Sequence, residues 1–98
     1  MKLFFSKSAV QDLIRIKEFI AKDNLEAAEK IAMRIQQIIG KLVTLPHIGK
    51  LVEGLESSWS DKQVRELMVG DYVVRYISQK DIIYIARIWH GKEYRDYE

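Results

Sequence analysis

The sequence predicts an α+β domain in which an antiparallel two-helix hairpin packs on one face of a mostly antiparallel sheet. Two stretches with helical apolar spacing, Val10 to Ile20 and Leu25 to Leu42, are separated only by Asp23-Asn24. The last third of the chain carries β-branched and aromatic runs broken by Gly70-Asp71 and by Ser78-Gln79-Lys80-Asp81, the pattern of a three-stranded antiparallel meander. A chain of 98 residues holds one core and not two, so a single domain over 1–98 is expected.

Leu3-Phe4-Phe5 is short and apolar and suits a first strand that leads into a helix cap. Ser8 with Gln11 fits a capping box, each side chain satisfying a backbone donor of the other. Val10, Leu13, Ile14, Phe19 and Ile20, with Ile16 between them, form the stripe of the first helix, ending near Lys22. Asp23-Asn24 breaks the pattern and supplies the second N-cap. Leu25, Ala28, Ile31, Ala32, Ile35, Ile38, Ile39 and Leu42 recur at three- and four-residue spacing, opposite Glu26, Glu29, Lys30, Arg34 and Lys41. So short a turn between two amphipathic helices makes them antiparallel. Gly40 costs the second helix roughly 1 kcal/mol relative to Ala; it either permits close packing or loosens the last turn. Leu45-Pro46 ends the helix, because proline disfavours helical backbone at the residue before it. His47 to Lys62, with Gly49, Gly54 and three serines, is the one long irregular segment, of a length at which loops are more often functional or mobile than plain connections.

The final strand is apolar on both alternating faces, with Ile82, Tyr84, Ala86 and Ile88 on one and Ile83, Ile85 and Trp89 on the other. A two-helix hairpin covers only one face of a sheet. The second face calls for cover from the long loop or from a partner.

Composition narrows the function. With 48% apolar and 31% charged residues the chain is an ordinary globular protein. The absence of Cys excludes disulfides and thiolate chemistry and is compatible with a cytoplasmic location. No run approaches ~18 apolar residues, so no membrane span or membrane partner is expected. A net charge of +2 permits an acidic partner without demanding one. There is no Gly-rich phosphate loop, no zinc-ligand spacing and no Gly-x-Ser-x-Gly, so no metal and no cofactor are expected.

Candidate functional residues gather at the end of the last strand: Trp89, His90, Lys92, Tyr94 and Arg95. His90 is open to two readings, a general acid or base or a strand-end histidine bonded to a neighbouring backbone group. His47, without ligand-spaced neighbours, reads as a loop residue with a local hydrogen bond. Arg65, Arg75 and Arg87 fall one per strand. Either the registers gather them into a patch for phosphate or carboxylate, or each pairs with Glu66, Asp71 or Asp81 or borders the sheet; a slip of one residue decides between these. Glu53 and Glu56 read as solvated loop charges, and Trp59 as a plug over the sheet or a contact residue.

The ordered set Leu45-Pro46…Gly49, Arg65-Glu66-Leu67, Tyr72-Val73-Val74-Arg75-Tyr76 and Ile85-Ala86-Arg87-Ile88-Trp89-His90-Gly91 resembles the RelE/ParE superfamily, the toxins of type II toxin–antitoxin (plasmid stabilisation) modules. The resemblance spans almost the whole chain, and its ending is most similar to the ParE-like branch. It implies a cognate antitoxin that neutralises the toxin in a hetero-oligomer by folding a disordered segment onto the apolar sheet face. RelE-like members are metal-independent, ribosome-dependent mRNA endonucleases; ParE-like members poison DNA gyrase. The RelE-like pattern implies an arginine directly after the residue that opens the Tyr-x-x-x-Tyr run, where this chain has Val73, which cannot neutralise a developing phosphorane. The leading expectation is a non-enzymatic gyrase inhibitor with Arg75, Arg87, Trp89, His90, Lys92 and Arg95 as target or partner contacts. The alternative is an endonuclease acting on the ribosome and its mRNA, with Arg87, His90, Lys92 and Tyr94 as catalytic groups. A third reading is a member that has lost toxicity and only binds its antitoxin.

Overall fold

In the computed structural model, which describes residues 1–52 and 63–92, the chain runs β1 (Lys2–Phe5), α1 (Lys7–Ala21), α2 (Leu25–Gly40), a 3-10 turn at Lys41–Val43, β2 (Lys50–Leu51), β3 (Gln63–Val69), β4 (Tyr72–Gln79) and β5 (Ile82–His90). The five strands form one sheet in the order β1-β5-β4-β3-β2. The expected meander is its centre. β1 lies parallel to β5, so the first strand borders the last. The two-residue β2, inside the segment read as irregular, pairs antiparallel with β3 at the opposite edge.

Both meander turns are tight. Gly70 takes φ +61°, which costs a glycine little; Lys80 takes φ +52° at the corresponding place between β4 and β5.

The first helix starts earlier than its sequence suggests. The Ser6 amide donates to the Ile85 carbonyl at 2.9 Å, ending β1 against β5. Its hydroxyl then accepts from the Ala9 amide and donates to the Ala86 carbonyl, each at 2.8 Å. Ser6 is therefore the N-cap, and Ser8 lies inside the helix. Sheet pairing selects the cap, because only Ser6 has both a free helix end and a strand carbonyl within reach. Asn24 caps α2 as expected, accepting from the Ala27 amide at 3.0 Å.

The buried face of α1 is also rotated from the expected stripe. Ala9, Asp12 and Ile16 are buried, whereas Val10, Ile14 and Phe19 are exposed. On α2 the expected stripe holds for Ala28, Ala32, Ile35 and Ile39, and Leu42 follows in the 3-10 turn; Leu25 stays outside. Ile35, Ile39 and Leu42, with Ala9 and Ile16 of α1, form one core with Val69, Val74, Tyr76, Ile83, Ile85 and Ile88 of the sheet. Full burial of each Ile or Leu contributes about 1.5–3 kcal/mol.

A bulge reorganises the last strand. Arg75 pairs with Arg87 but Tyr76 pairs with Ile85, so Ala86 has no opposite residue. The alternation shifts there: Ile88 joins Ile83 and Ile85 in the core, and Trp89 passes to the second face opposite Val73. The expected grouping of Ile88 with Ile82 and Tyr84 is thereby broken. By alternation the second face carries Val64, Glu66 and Met68 of β3 with Val73, Arg75 and Ile77 of β4. It is buried at its centre (Val64, Val73, Trp89) and apolar but exposed at its margins (Met68, Ile82, Tyr84, Phe4).

The corner after α2 is held by Tyr76. Its buried hydroxyl donates to the Pro46 carbonyl and accepts from the Gly49 amide, each at 2.9 Å. Burial raises the Tyr76 pKa, opposed by the Gly49 amide and the Arg65 charge. A Cβ on Gly49 would lie 2.7 Å from the Tyr76 ring, so this close approach requires glycine. Glu53, Glu56 and Trp59 lie outside the described residues.

Candidate functional site

The register draws a row of charge across the sheet: Lys50 opposite Glu66, Glu66 opposite Arg75, and Arg75 opposite Arg87. Two arginines directly opposite would repel. Each is answered by a carboxylate on its outer side. Glu66 Oε2 accepts from both Nε (2.9 Å) and a terminal nitrogen of Arg75. At the other end, Asp12 of α1 accepts from Arg87 Nε at 2.8 Å and from its terminal nitrogen at 3.1 Å. Of the pairings read from the sequence, with Glu66, Asp71 or Asp81, Arg75–Glu66 forms; Arg87 takes Asp12 instead. Arg65 leaves the row altogether, because its side chain alternates to the other face and donates to the Gly49 carbonyl at 2.8 Å.

Asp12 was not singled out in the sequence, yet it organises this end of the molecule. β1 stops at Phe5, so beyond Ala86 the outer edge of β5 has no strand partner. α1 runs along that edge, and Asp12 Oδ2 accepts the Ile88 amide at 2.9 Å in place of a strand carbonyl. Arg15 adds a contact to Asp12 at 3.4 Å and one to the Ile88 carbonyl at 3.5 Å. Burial pushes the Asp12 carboxyl up, but the bonds from Arg87, the Ile88 amide and Arg15 outweigh it and hold its pKa below the usual carboxylate value. The available signal was a carboxylate at a stripe position, between Ala9 and Ile16. Such a residue is buried only when paired.

The residues proposed from sequence are partly brought together. Arg75 lies over the Trp89 ring, 5.3 Å from its centroid, a cation–π arrangement. Trp89 itself is 1% exposed; it forms the floor beneath Arg75. His90 alternates to the helix side of the sheet and meets Tyr72 edge to face at 5.1 Å. The Lys92 amide donates to His90 Nδ1 at 3.0 Å. That matches the reading of His90 as a strand-end histidine with a backbone partner. Lys92 is exposed, and Tyr94 and Arg95 lie outside the described residues. His47 is exposed and its carbonyl accepts from Arg65 at 3.4 Å. Among the described residues no cluster of three His, Cys, Asp or Glu could hold a metal ion. No described helix is long and apolar enough to cross a membrane.

The family model for the ParE toxin of the type II toxin–antitoxin system parDE matches residues 3–94. The chain belongs to the ParE toxin family. As the toxin half of such a module it has an antitoxin as partner. It is 30% identical over 84 residues to Toxin RelE2 of Caulobacter vibrioides, an alignment covering 85% of this chain and 86% of that one. Its fold is similar to a chain in the structure of the chromosomal ParDE system from P. aeruginosa, with a TM-score of 0.75 and 22% identity. That match covers 94% of this chain and 97% of the other. One relative carries a RelE name and the family a ParE name, so the choice between the two activities falls to the residues.

Proposed function

We propose that this ParE-family toxin acts in the cytoplasm by binding and inhibiting DNA gyrase, and not by cutting message. The observation that carries the reading is the Asp12–Arg87 pair. A phosphoryl-transfer site needs cationic donors aimed at the position where charge develops. Arg87, the foremost candidate for that task, is committed to a buried carboxylate at 2.8 and 3.1 Å and keeps about a third of its side chain exposed. His90 supports the same reading. Its Nδ1 accepts from the Lys92 amide, which takes up one of the two ring nitrogens that a general base could use. Val73, where the nuclease pattern has arginine, is buried opposite Trp89. His90 and Lys92 then serve as contacts for the target, with the Glu66-bound Arg75 and Trp89 as support beneath them and Arg95 as a further contact. The antitoxin neutralises the toxin in a hetero-oligomer.

Purified toxin added to gyrase supercoiling and cleavage reactions, and in parallel to translating ribosomes with end-labelled message, tests the proposal. Stabilised gyrase–DNA cleavage with intact message is the expected result. Codon-phased cuts with unaffected gyrase would return the assignment to the endonuclease. Silence in both, with antitoxin verified absent, would mark a member retained only to bind its antitoxin.

A further inference from the structure

The outer side of the helix hairpin is apolar at its middle. Ile14 of α1 is 51% exposed and Met33 of α2 is 59% exposed, and Val10 continues the strip along α1. Between the helices runs an open groove of about 460 Å³, with Ile14 and Lys17 on its α1 wall and Glu29 and Met33 on its α2 wall. α1 ends at Ala21 and α2 begins at Leu25. Equal rise in two antiparallel helices therefore sets Lys17 level with Glu29, and Ile14 within about 1.5 Å of the height of Met33. The groove thus carries a cation on one wall and an anion at the same height on the other, with an apolar pair one turn along. Lys17 and Glu29 are both exposed, and neither makes an ion pair among the described residues.

We propose that two copies of the toxin join here, hairpin to hairpin, about a twofold axis lying along the groove. Rotation about that axis keeps every height and exchanges the two walls, so α1 of one copy lies over α2 of the other. Lys17 then faces Glu29 of the second copy, Glu29 faces its Lys17, and Ile14 covers its Met33. On the flanks Glu18 comes beside Lys30 of the other α2, which holds Glu26 at 3.7 Å, so this acid also meets a cation. All neighbouring helices run antiparallel, the arrangement of an up-down four-helix bundle. The match between the walls is what points to a second copy: an isologous interface needs a face that is its own complement. Helices of this length, about 23 Å, lying 8–10 Å apart, offer a face on the order of 400 Å² from each copy. That is at the low end for a specific interface, which sets the expected dissociation constant in the micromolar range. Self-association of this kind is independent of the gyrase reading.

The test is sedimentation of the full chain, freed of antitoxin, across the micromolar range. Wild type is expected to pass from monomer to dimer as concentration rises. Met33→Asp places a charge in the interface and should weaken dimerisation at least tenfold. Lys17→Glu sets carboxylate against carboxylate and Glu29→Lys sets cation against cation, so each alone should stay monomeric. An equimolar mixture of these two should dimerise, because the glutamate introduced in one copy then faces the lysine introduced in the other. Phe19→Ala, about 140° around α1 from Ile14, should dimerise as wild type does. All four positions are exposed, so thermal unfolding of the dilute variants should match wild type; if Met33→Asp unfolds early, Met33→Lys takes its place. A wild type that stays monomeric, single variants that dimerise like wild type, or a mixture no more associated than either variant alone overturns the proposal. A monomeric wild type whose antitoxin affinity falls in Met33→Asp would give this face to the antitoxin, and the proposal fails.

Discussion

Replacing Asp12 with Asn probes the junction between α1 and the open edge of β5. The substitution keeps the shape and one carbonyl acceptor but removes the charge that answers Arg87. In wild type the carboxylate accepts from two nitrogens of Arg87, from the Ile88 amide and from Arg15. Removing one partner of a fully buried ion pair costs about 3–5 kcal/mol. Asp12 is buried but Arg87 is 32% exposed and can rehydrate, which brings the expected loss to about 2–3 kcal/mol at pH 7. For a domain of this size that corresponds to a fall of roughly 10–20 °C in Tm. The pH dependence has a definite sign. Because the folded-state pKa of Asp12 lies below its unfolded value of about 3.9, its stabilisation is complete above that unfolded value and is lost as pH falls through the folded pKa. The gap between wild type and Asp12→Asn in urea unfolding should therefore be constant from pH 7 to 5 and narrow in the acid range. A double-mutant cycle with Arg87→Gln should return a coupling above about 1 kcal/mol. Equal urea midpoints at pH 7, or a gap unchanged down to pH 3, would refute the argument.

Three further predictions concern α2 and the corner that follows it. Tyr76→Phe leaves the buried Gly49 amide without its acceptor and the Pro46 carbonyl without its donor, a loss of about 1–3 kcal/mol measured by denaturant unfolding. Gly49→Ala, which places a Cβ 2.7 Å from the same ring, should be at least as damaging, and a wild-type midpoint in either would contradict the anchoring role. Gly40→Ala should act in the opposite direction. No atom lies within 4 Å of the added methyl, so close packing does not explain this glycine, and helix propensity predicts a gain of roughly 0.8–1 kcal/mol by the same measurement.

The secondary structure was largely legible, because local periodicity reports it. The α2 stripe, the Asn24 cap and the two tight turns of the meander all depend on residues within a few positions of one another. The α1 stripe was misjudged because that helix has apolar residues on two sides: Ala9 and Ile16 face the core while Val10, Ile14 and Phe19 do not. The N-cap was misplaced for a related reason, since Ser6 is chosen by the carbonyl of Ala86, 80 residues away. At the candidate site, the Arg75–Glu66 pair was among the pairings the sequence offered. Arg87 found Asp12, which sequence inspection had passed over.

By itself the sequence determined the α+β class, the order of the elements, the family resemblance and the cluster of cationic and aromatic residues near the C-terminus. All of these are carried by composition, local spacing and ordered motifs. The tertiary structure decided which arginine meets which carboxylate, that Trp89 is buried, and that α1 completes the edge of β5. Those outcomes turn on one unpaired residue, Ala86, and on where β1 stops. A bulge reverses every later side chain in its strand, and a bare strand edge needs an acceptor from somewhere. Neither demand is visible until strands that are distant in sequence are laid side by side.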